Sequence, residues 1–512
     1  MKIQSLCVLM MIVCFSCVQQ EEQKRPNILY IMSDDHTSQA WGIYGGPLKD
    51  YVQAPNIKRL AEEGCTLQNV FCTNSICTPS RASIMTGRYS HQNGVYTLTE
   101  GLHPDSMNVA KAMKSGGYET AIVGKWHLKK KPAGFDYFNV LPGQGRYNNP
   151  ILKNEQNWSE GGQEYEGFSS DVIGDQSLSW LKNRQQDKPF FLMCHFKATH
   201  EPFYYPDRKK SMYEGIDVPE PENLLDFQGY QSGRTFDGQI LEILGNRYVN
   251  DAGKKKKRYP GPDFDLEGLD NVEVRKKTYQ KFVKDFMRSG SAIDDNIGKL
   301  LNYLDESGLA ENTVVIYTAD QGYFLGEHGF FDKRMFYEES LRMPFVIRYP
   351  DEITNGSSNS DIILNHDFPS LFLDYAGIDH DYFNKGRSFR QNLVGNTPAD
   401  WRDNMYYRYW LHQTNRPAHF GLRNERYKLI FFYGQHLDML GTHKENTEPS
   451  WEFYDLKEDP RENHNAYGEV QYATIIKQMK KELQTEKARV GDSDENYTPM
   501  KTILNTQFGL KD

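Results

Sequence analysis

The chain has 512 residues, 38% hydrophobic and 25% charged, which is ample for a sizeable core and too polar for a protein embedded in a membrane. Its length accommodates more than one domain. A formal net charge of −9 argues against nucleic acid as the main partner.

The first residues, "MKIQSLCVLMMIVCFSC", carry one lysine, a short apolar core and small Ser16 before Cys17. Too short to span a bilayer, the stretch reads as a secretory signal peptide over 1–16. "CFSC" followed by polar "VQQEEQK" resembles a bacterial lipoprotein cleavage site, with Cys17 acylated and 17–25 a linker; a plain signal peptide is the alternative. The expectation is an exported, membrane-anchored lipoprotein in the periplasm or at the cell surface. No later stretch is long and apolar enough to cross a membrane.

From Pro26 onward short apolar runs alternate with amphipathic segments. "NILYIMSDD" (27–35) predicts a buried strand running into an acidic pair, and "APNIKRLAEEG" (54–64) a helix with Pro55 near its start. In "NSICTPSRASIMTGR" (74–88), Pro79 suits the first position of a helix, which makes Thr78 its N-cap and Gly87 its stop. Cys77 would stand just before that helix, facing its free N–H groups, a natural anion site. Arg81, one turn in, points back toward the same place. Further helices are expected at 107–115, 170–185, 275–306 and 367–376, and further strands at 119–127, 189–200, 313–322 and 344–350. Residues 203–272, rich in Pro, Gly, Tyr and charge, read as a long insertion over the site. Inside it "GKKKKRY" (253–259) reads as a solvated loop, with a polyanion contact as the alternative. "RYKLIFFY" (426–433), "WEFYDLKEDPRE" (451–462) and a helix near 469–489 suggest a small antiparallel sheet with a helix packed on it. The organisation is therefore an α/β catalytic domain over 26–385 with a mostly parallel sheet, and a C-terminal α+β subdomain over 386–512.

The residues able to do chemistry fall at the C-terminal ends of separate strands: Asp34 and Asp35, Lys125 and His127, His200, Asp320 and Gln321. In open α/β sheets that edge binds ligands. Of seven cysteines, Cys7 and Cys14 leave with the signal. With Cys17 and Cys77 set aside, the odd remainder of Cys65, Cys72 and Cys194 reads as buried thiols, not as a disulfide scaffold.

"CTPSRASIMTGR" matches the signature C-x-P-S-R followed by [LM]-T-G-R of the formylglycine-dependent sulfatases. The resemblance extends to "SDDH", "GKWHL", "ATHEPF", "TADQGYFLGEHG" and "DKRMFYEESLRMPFVIRYP", and so spans essentially the whole mature chain. It implies an alkaline-phosphatase-like α/β fold with a smaller C-terminal subdomain. It also implies that a formylglycine-generating maturation enzyme oxidises Cys77 to an aldehyde. Hydrated to a geminal diol, the aldehyde attacks sulfur through one hydroxyl and releases the trapped sulfate through the other. The resemblance further implies one Ca²⁺ held by Asp34, Asp35, Asp320, the Gln321 amide oxygen and the modified residue 77. Arg81 and Lys125 would steady the diol, His127 would take its proton, and His200 and Lys333 would bind the sulfate, with His200 protonating the leaving alcohol. His91 either touches substrate or braces a helix end. Tyr337, Glu338 and Glu339 read as structural, and His419 and Arg423 as pocket or structural residues.

The implied substrate is a sulfated glycan, foremost a 6-O-sulfated N-acetylglucosamine as in heparan sulfate. Other sulfated sugars, such as galactosamine or uronic acid units, and aryl sulfates stay open. So do a phosphodiesterase or phosphonate monoester hydrolase of the same superfamily, and a non-catalytic glycan-binding lipoprotein. The cysteine signature and the single oxygen-rich set favour sulfate.

Overall fold

A computed structural model describes residues 25–226, 238–379, 385–494 and 497–509. The expected signal peptide, the expected lipidation site Cys17 and most of the expected linker lie outside them. Eight strands build the central sheet: β1 (Asn27–Asp34), β2 (Cys65–Leu67), β3 (Glu119–Lys125), β4 (Tyr137–Leu141), β5 (Phe190–Thr199), β6 (Thr313–Ala319), β7 (Phe345–Arg348) and β8 (Ser357–Asn359). Their order is β8-β2-β7-β6-β1-β5-β3-β4, and β7 alone runs against the rest. β1 lies between β5 and β6, parallel to both, with Tyr30 level with Met193 on one side and Ile316 on the other.

Every residue of β1, β5 and β6 is buried, which is why these strands read as continuous apolar runs. Alternate residues of β1 serve two cores. Leu29 and Ile31 pack with α1 (Pro55–Glu62), α3 (Ser169–Asn183) and α5 (Asn271–Glu306) through Leu60, Ile173, Ile293 and Ile297. Ile28, Tyr30 and Met32 pack on the other face with α2 (Cys77–Thr86) and α6 (Phe368–Tyr375) through Ala82, Phe368 and Phe372. Asp270 starts α5 with a capping box, its carboxylate accepting from Glu273 N at 2.9 Å while the Glu273 side chain accepts from Asp270 N at 3.0 Å.

Four antiparallel strands follow in sequence order: β9 (Asn404–Tyr409), β10 (His419–Asn424), β11 (Tyr427–Phe432) and β12 (Ser450–Asp455). Phe420, Leu422, Leu429 and Phe431 on one face pack on α7 (Ala473–Arg489) through Ile476, Met479 and Leu483. Tyr407, Ile430, Phe432 and Tyr454 on the other face join the main core. The subdomain thus buttresses the catalytic layer. Arg408 N donates to Thr73 O at 3.2 Å and Tyr407 Oη accepts from Ser75 N at 3.3 Å, gripping the segment that leads into Cys77.

Several expectations change. The insertion carries a helix of its own, α4 (Leu241–Val249), and the chain adds α8 (Thr498–Phe508), whose Phe508 packs on Trp451 at 5.0 Å. α2 begins at Cys77, not after Thr78, because Ser80 N bonds to Ile76 O at 3.0 Å and draws residue 77 into the first turn. It ends as expected at left-handed Gly87. Cys65, Cys72, Cys77 and Cys194 are free and buried.

Arg408 is buried and donates to Asp492 at 2.7 Å and to Asp494 at 2.8 Å, with its guanidinium 3.6 Å from the centroid of the Trp410 ring. Arg408→Met leaves two buried carboxylates with Lys487 as their one paired cation among the described residues, so equilibrium unfolding in denaturant should show a loss of about 3 kcal/mol.

Candidate active site

The edge where β1, β3, β5 and β6 end carries the chemistry. β1 delivers Asp34 and then Asp35, which sits in the left-handed region at φ 60. Asp320 and Gln321 follow β6, and Gly322 comes next because a Cβ there would lie 2.2 Å from Glu339 O. β3 delivers Lys125 and the turn to His127 at φ 54, and β5 runs into His200. Lys333 arrives between Asp332 at φ 76 and Arg334 at φ 89. Left-handed non-glycine residues concentrated in this way mark a backbone held under strain by its surroundings, as functional sites often are.

These side chains form one charged cluster beneath the first turn of α2. Arg81 Nε donates to Asp320 at 2.9 Å, its Nη1 to Lys125 O at 2.7 Å, and its Nη2 lies 3.4 Å from Asp34. Lys125 pairs with Asp34 and donates to Gln144 at 2.6 Å. Lys333 pairs with Asp35, whose own N–H donates to Asp320 at 3.0 Å. Cys77 Sγ lies 3.8 Å from Asp35 and 3.9 Å from Gln321 Nε2, and His200 Nε2 is 3.8 Å from Asp35. Thr78, expected as the N-cap, instead donates its hydroxyl to His127 O at 3.1 Å, and the same hydroxyl lies 3.4 Å from His127 Nδ1, which orients the imidazole.

Burial dominates the electrostatics. It pushes the Cys77 thiol far up, so an unmodified cysteine here is a neutral thiol and not a thiolate nucleophile. Burial would raise Asp34, but Lys125, His200 and Arg81 outweigh it and hold the carboxyl well below its usual range. Asp35 is raised by burial, and so is Asp320, to about 7 against the pull of Arg81. Burial and the nearby Lys125 charge lower His127 to about 2, leaving the ring neutral. His200 is lowered by burial and by Lys125.

Ligand atoms of Asp34, Asp35, Cys77 and His200 lie within 4.8 Å of one another, a group able to surround a metal ion. The donor set fits a hard dication. Its carboxylates repel one another in a buried volume, and Gln321 Oε1 is buried with no hydrogen-bond partner among the described residues. His200 joins this group, whereas Asp320 is turned onto Arg81 and the Asp35 amide.

Other expected residues lie apart from the cluster. His91 accepts the bracing role: it bonds to Val490 O at 2.8 Å and stacks on Tyr89, tying α2's exit to the end of α7. Arg423 pairs with Glu338 at 2.9 Å, and His419 is buried against Tyr407 and Tyr409, so both belong to the joint between sheet and catalytic layer. Glu338 is the catalytic layer's half of that joint, and Tyr337 donates to Glu452 at 2.6 Å. Sequence reasoning passed over Lys197. This lysine is 3% exposed, has no carboxylate partner among the described residues and lies 4.6 Å from the Tyr147 ring, whose hydroxyl donates to His200 O. Burial and Lys125 lower it to about 7. Its signal was a lone cation in the apolar run "FFLMCHFKAT".

Residues 26–378 match the sulfatase family model, and 326–489 match the C-terminal model of N-sulphoglucosamine sulphohydrolase. The N-acetylglucosamine-6-O-sulfatase of Bacteroides thetaiotaomicron is 37% identical, over 93% of this chain and 88% of its own. A multifunctional alkaline phosphatase superfamily protein of Trinickia caryophylli is 25% identical over 88% of this chain and 93% of its own. A solved structure described as a complex with its substrate D-glucosamine-2-N,6-O-disulfate superposes with a TM-score of 0.81 at 35% identity, covering 93% of this chain and all of that one. The fold is accordingly the alkaline-phosphatase-like one shared by these hydrolases. A signature cysteine at a helix start, ringed by buried carboxylates and cations and matched along most of the chain, makes this protein a member of the sulfatase family and an enzyme of that class.

Proposed function

We propose that this sulfatase removes the 6-O-sulfate from N-acetylglucosamine or its N-sulfated counterpart in heparan-type glycans. The observation that carries the reading is the 37% identity, sustained over 93% of the chain, to an N-acetylglucosamine-6-O-sulfatase. The structural neighbour holding a 6-O-sulfated glucosamine supports it. Export and a lipid anchor at Cys17 suit glycan scavenging and rest on the N-terminal sequence alone.

The reading takes Cys77 as formylglycine, made by a maturation enzyme, with its hydrated aldehyde supplying the nucleophilic hydroxyl. Asp34, Asp35, Asp320, Gln321 and the modified residue 77 would hold one Ca²⁺, Asp320 by exchanging its present bonds to Arg81 and the Asp35 amide for the ion, which would supply Lewis acidity to the nucleophile and to a sulfate oxygen. The remaining work belongs to side chains already placed. Arg81 and Lys125 fix the carboxylates and add positive charge where negative charge develops. Neutral His127, oriented by Thr78, takes the proton that frees sulfate. Lys333 meets the sulfate, and His200, neutral in the empty site, donates to the departing alcohol oxygen only once the anionic sulfate beside it has drawn a proton onto its ring.

Matured enzyme should release sulfate from N-acetylglucosamine 6-sulfate faster than from 4-O-sulfated galactosamine, a 2-O-sulfated uronic acid or an aryl phosphate; the reverse ranking, read by ion chromatography, would overturn the substrate assignment. Cys77→Ala should release no sulfate, and mass spectrometry of the active protein should find an aldehyde at residue 77 and no thiol. His127→Ala should lower kcat by about 10²–10³-fold with a smaller change in KM. Chelation should abolish turnover and added Ca²⁺ restore it, while Asp35→Asn should lower turnover by at least about 10³-fold even in excess Ca²⁺.

A further inference from the structure

The run Lys254 to Arg258 places five consecutive cations on a chain whose net charge is −9. Its backbone is held firmly. Asp251 accepts from Arg258 N at 2.6 Å and Tyr259 N at 2.8 Å, and Asp263 accepts from Gly253 N at 3.2 Å. The loop is also fastened to the active-site edge. Arg258 donates to Glu201 at 2.9 Å, Tyr259 bonds the same carboxylate, and Tyr204 donates to Lys257 O at 3.0 Å. Glu201 directly follows His200, and its carbonyl lies 2.7 Å from the His200 ring nitrogen Nδ1. Arg247 pairs with Glu201 at 2.9 Å and covers the Phe331 ring, two residues before Lys333. The basic loop is therefore tied to the segment that directly follows His200, one of the residues read as sulfate ligands.

Its charge is only partly answered. Lys254 reaches Asp251 at 3.8 Å and Lys257 pairs with Asp263, whereas Lys255 and Lys256 are exposed and have no carboxylate partner among the described residues. Adjacent ammonium groups repel, and a polyanion relieves that repulsion while releasing its counterions. Lysine's flexible stem suits anions of variable spacing.

We propose that Lys255 and Lys256, carried on this clamped loop, form an outer subsite for the sulfate and carboxylate groups of sugars flanking the one desulfated, so that the enzyme prefers sulfated oligosaccharides over monosaccharides. This rests on the sulfated-glycan reading and extends it from the reacting sugar to the chain around it. Glu201 transmits no chemistry here; it pins the loop beside His200, and the two lysines stay outside the catalytic cluster.

The test separates binding from turnover. Binding of a heparin-derived tetrasaccharide, of glucosamine-2-N,6-O-disulfate and of a short single-stranded DNA is measured by calorimetry on protein left unmatured, across a range of salt. Sulfate release from the two sugars is measured on matured protein. Wild type should bind the tetrasaccharide at least about tenfold more tightly than the monosaccharide. The double variant Lys255→Ser/Lys256→Ser should lose most of that margin, with a salt slope shallower by about 1–2, while its turnover of the monosaccharide is unchanged. Lys255→Arg/Lys256→Arg should keep the margin. Equal tetrasaccharide affinity in the Ser pair and wild type, or DNA bound as tightly as the tetrasaccharide, would overturn the subsite. Absence of sulfate release from every glucosamine substrate, with the binding margin intact, would instead overturn the substrate reading.

Discussion

Charge balance in one buried volume is the constraint on which the rest of this structure depends. Asp34, Asp35 and Asp320 converge at the carboxyl edge of the central sheet with almost no access to water. Uncompensated, such a set is untenable. Arg81, Lys125 and Lys333 answer it pair by pair, and each comes from a different element. The carboxylates that remain raised, Asp35 and Asp320, are those whose burial exceeds the compensation available from the protein. A dication would complete that balance, so that metal binding and the stability of the site would be one problem. The same field keeps His127 neutral.

The parts outside the sheet serve this edge. β9 holds Thr73 and Ser75, so the approach to Cys77 is braced by the C-terminal subdomain, and His91 ties the exit of α2 to the end of α7. Residues that looked like pocket candidates, Arg423 and His419, spend their polar and aromatic surfaces on the joint between the two layers. The insertion ties α4 and the basic loop to Glu201 through Arg247 and Arg258. The cluster is thus enclosed by segments far apart in sequence, and that enclosure lowers the local dielectric and strengthens each charge within it.

Legibility in the sequence followed the range of the forces involved. β1, β5 and β6 were readable because strands buried on both faces need unbroken apolar runs. Asp34, Lys125, His200 and Asp320 were readable because they follow those runs, where a parallel sheet presents its ligands. The start of α2 was misplaced because Thr78 resembles a cap by local rules, whereas its hydroxyl finds a better partner in His127, 49 residues away. α8 was missed because its packing on Trp451 is visible only once the subdomain is folded. Lys197 looked like one more lysine until the fold left it buried beside Tyr147 without a carboxylate.

By itself the sequence determined the alternation of strands and helices, the signature motif around Cys77 and the family to which it belongs, since these rest on local periodicity and contiguous motifs. Only the tertiary structure decided which cation meets which carboxylate, that His91, His419 and Arg423 brace instead of lining the cluster, and that the lysine run stands beside His200. Pairings of this kind depend on distances between segments hundreds of residues apart, and burial, which sets their strength, exists only after the chain has closed around them.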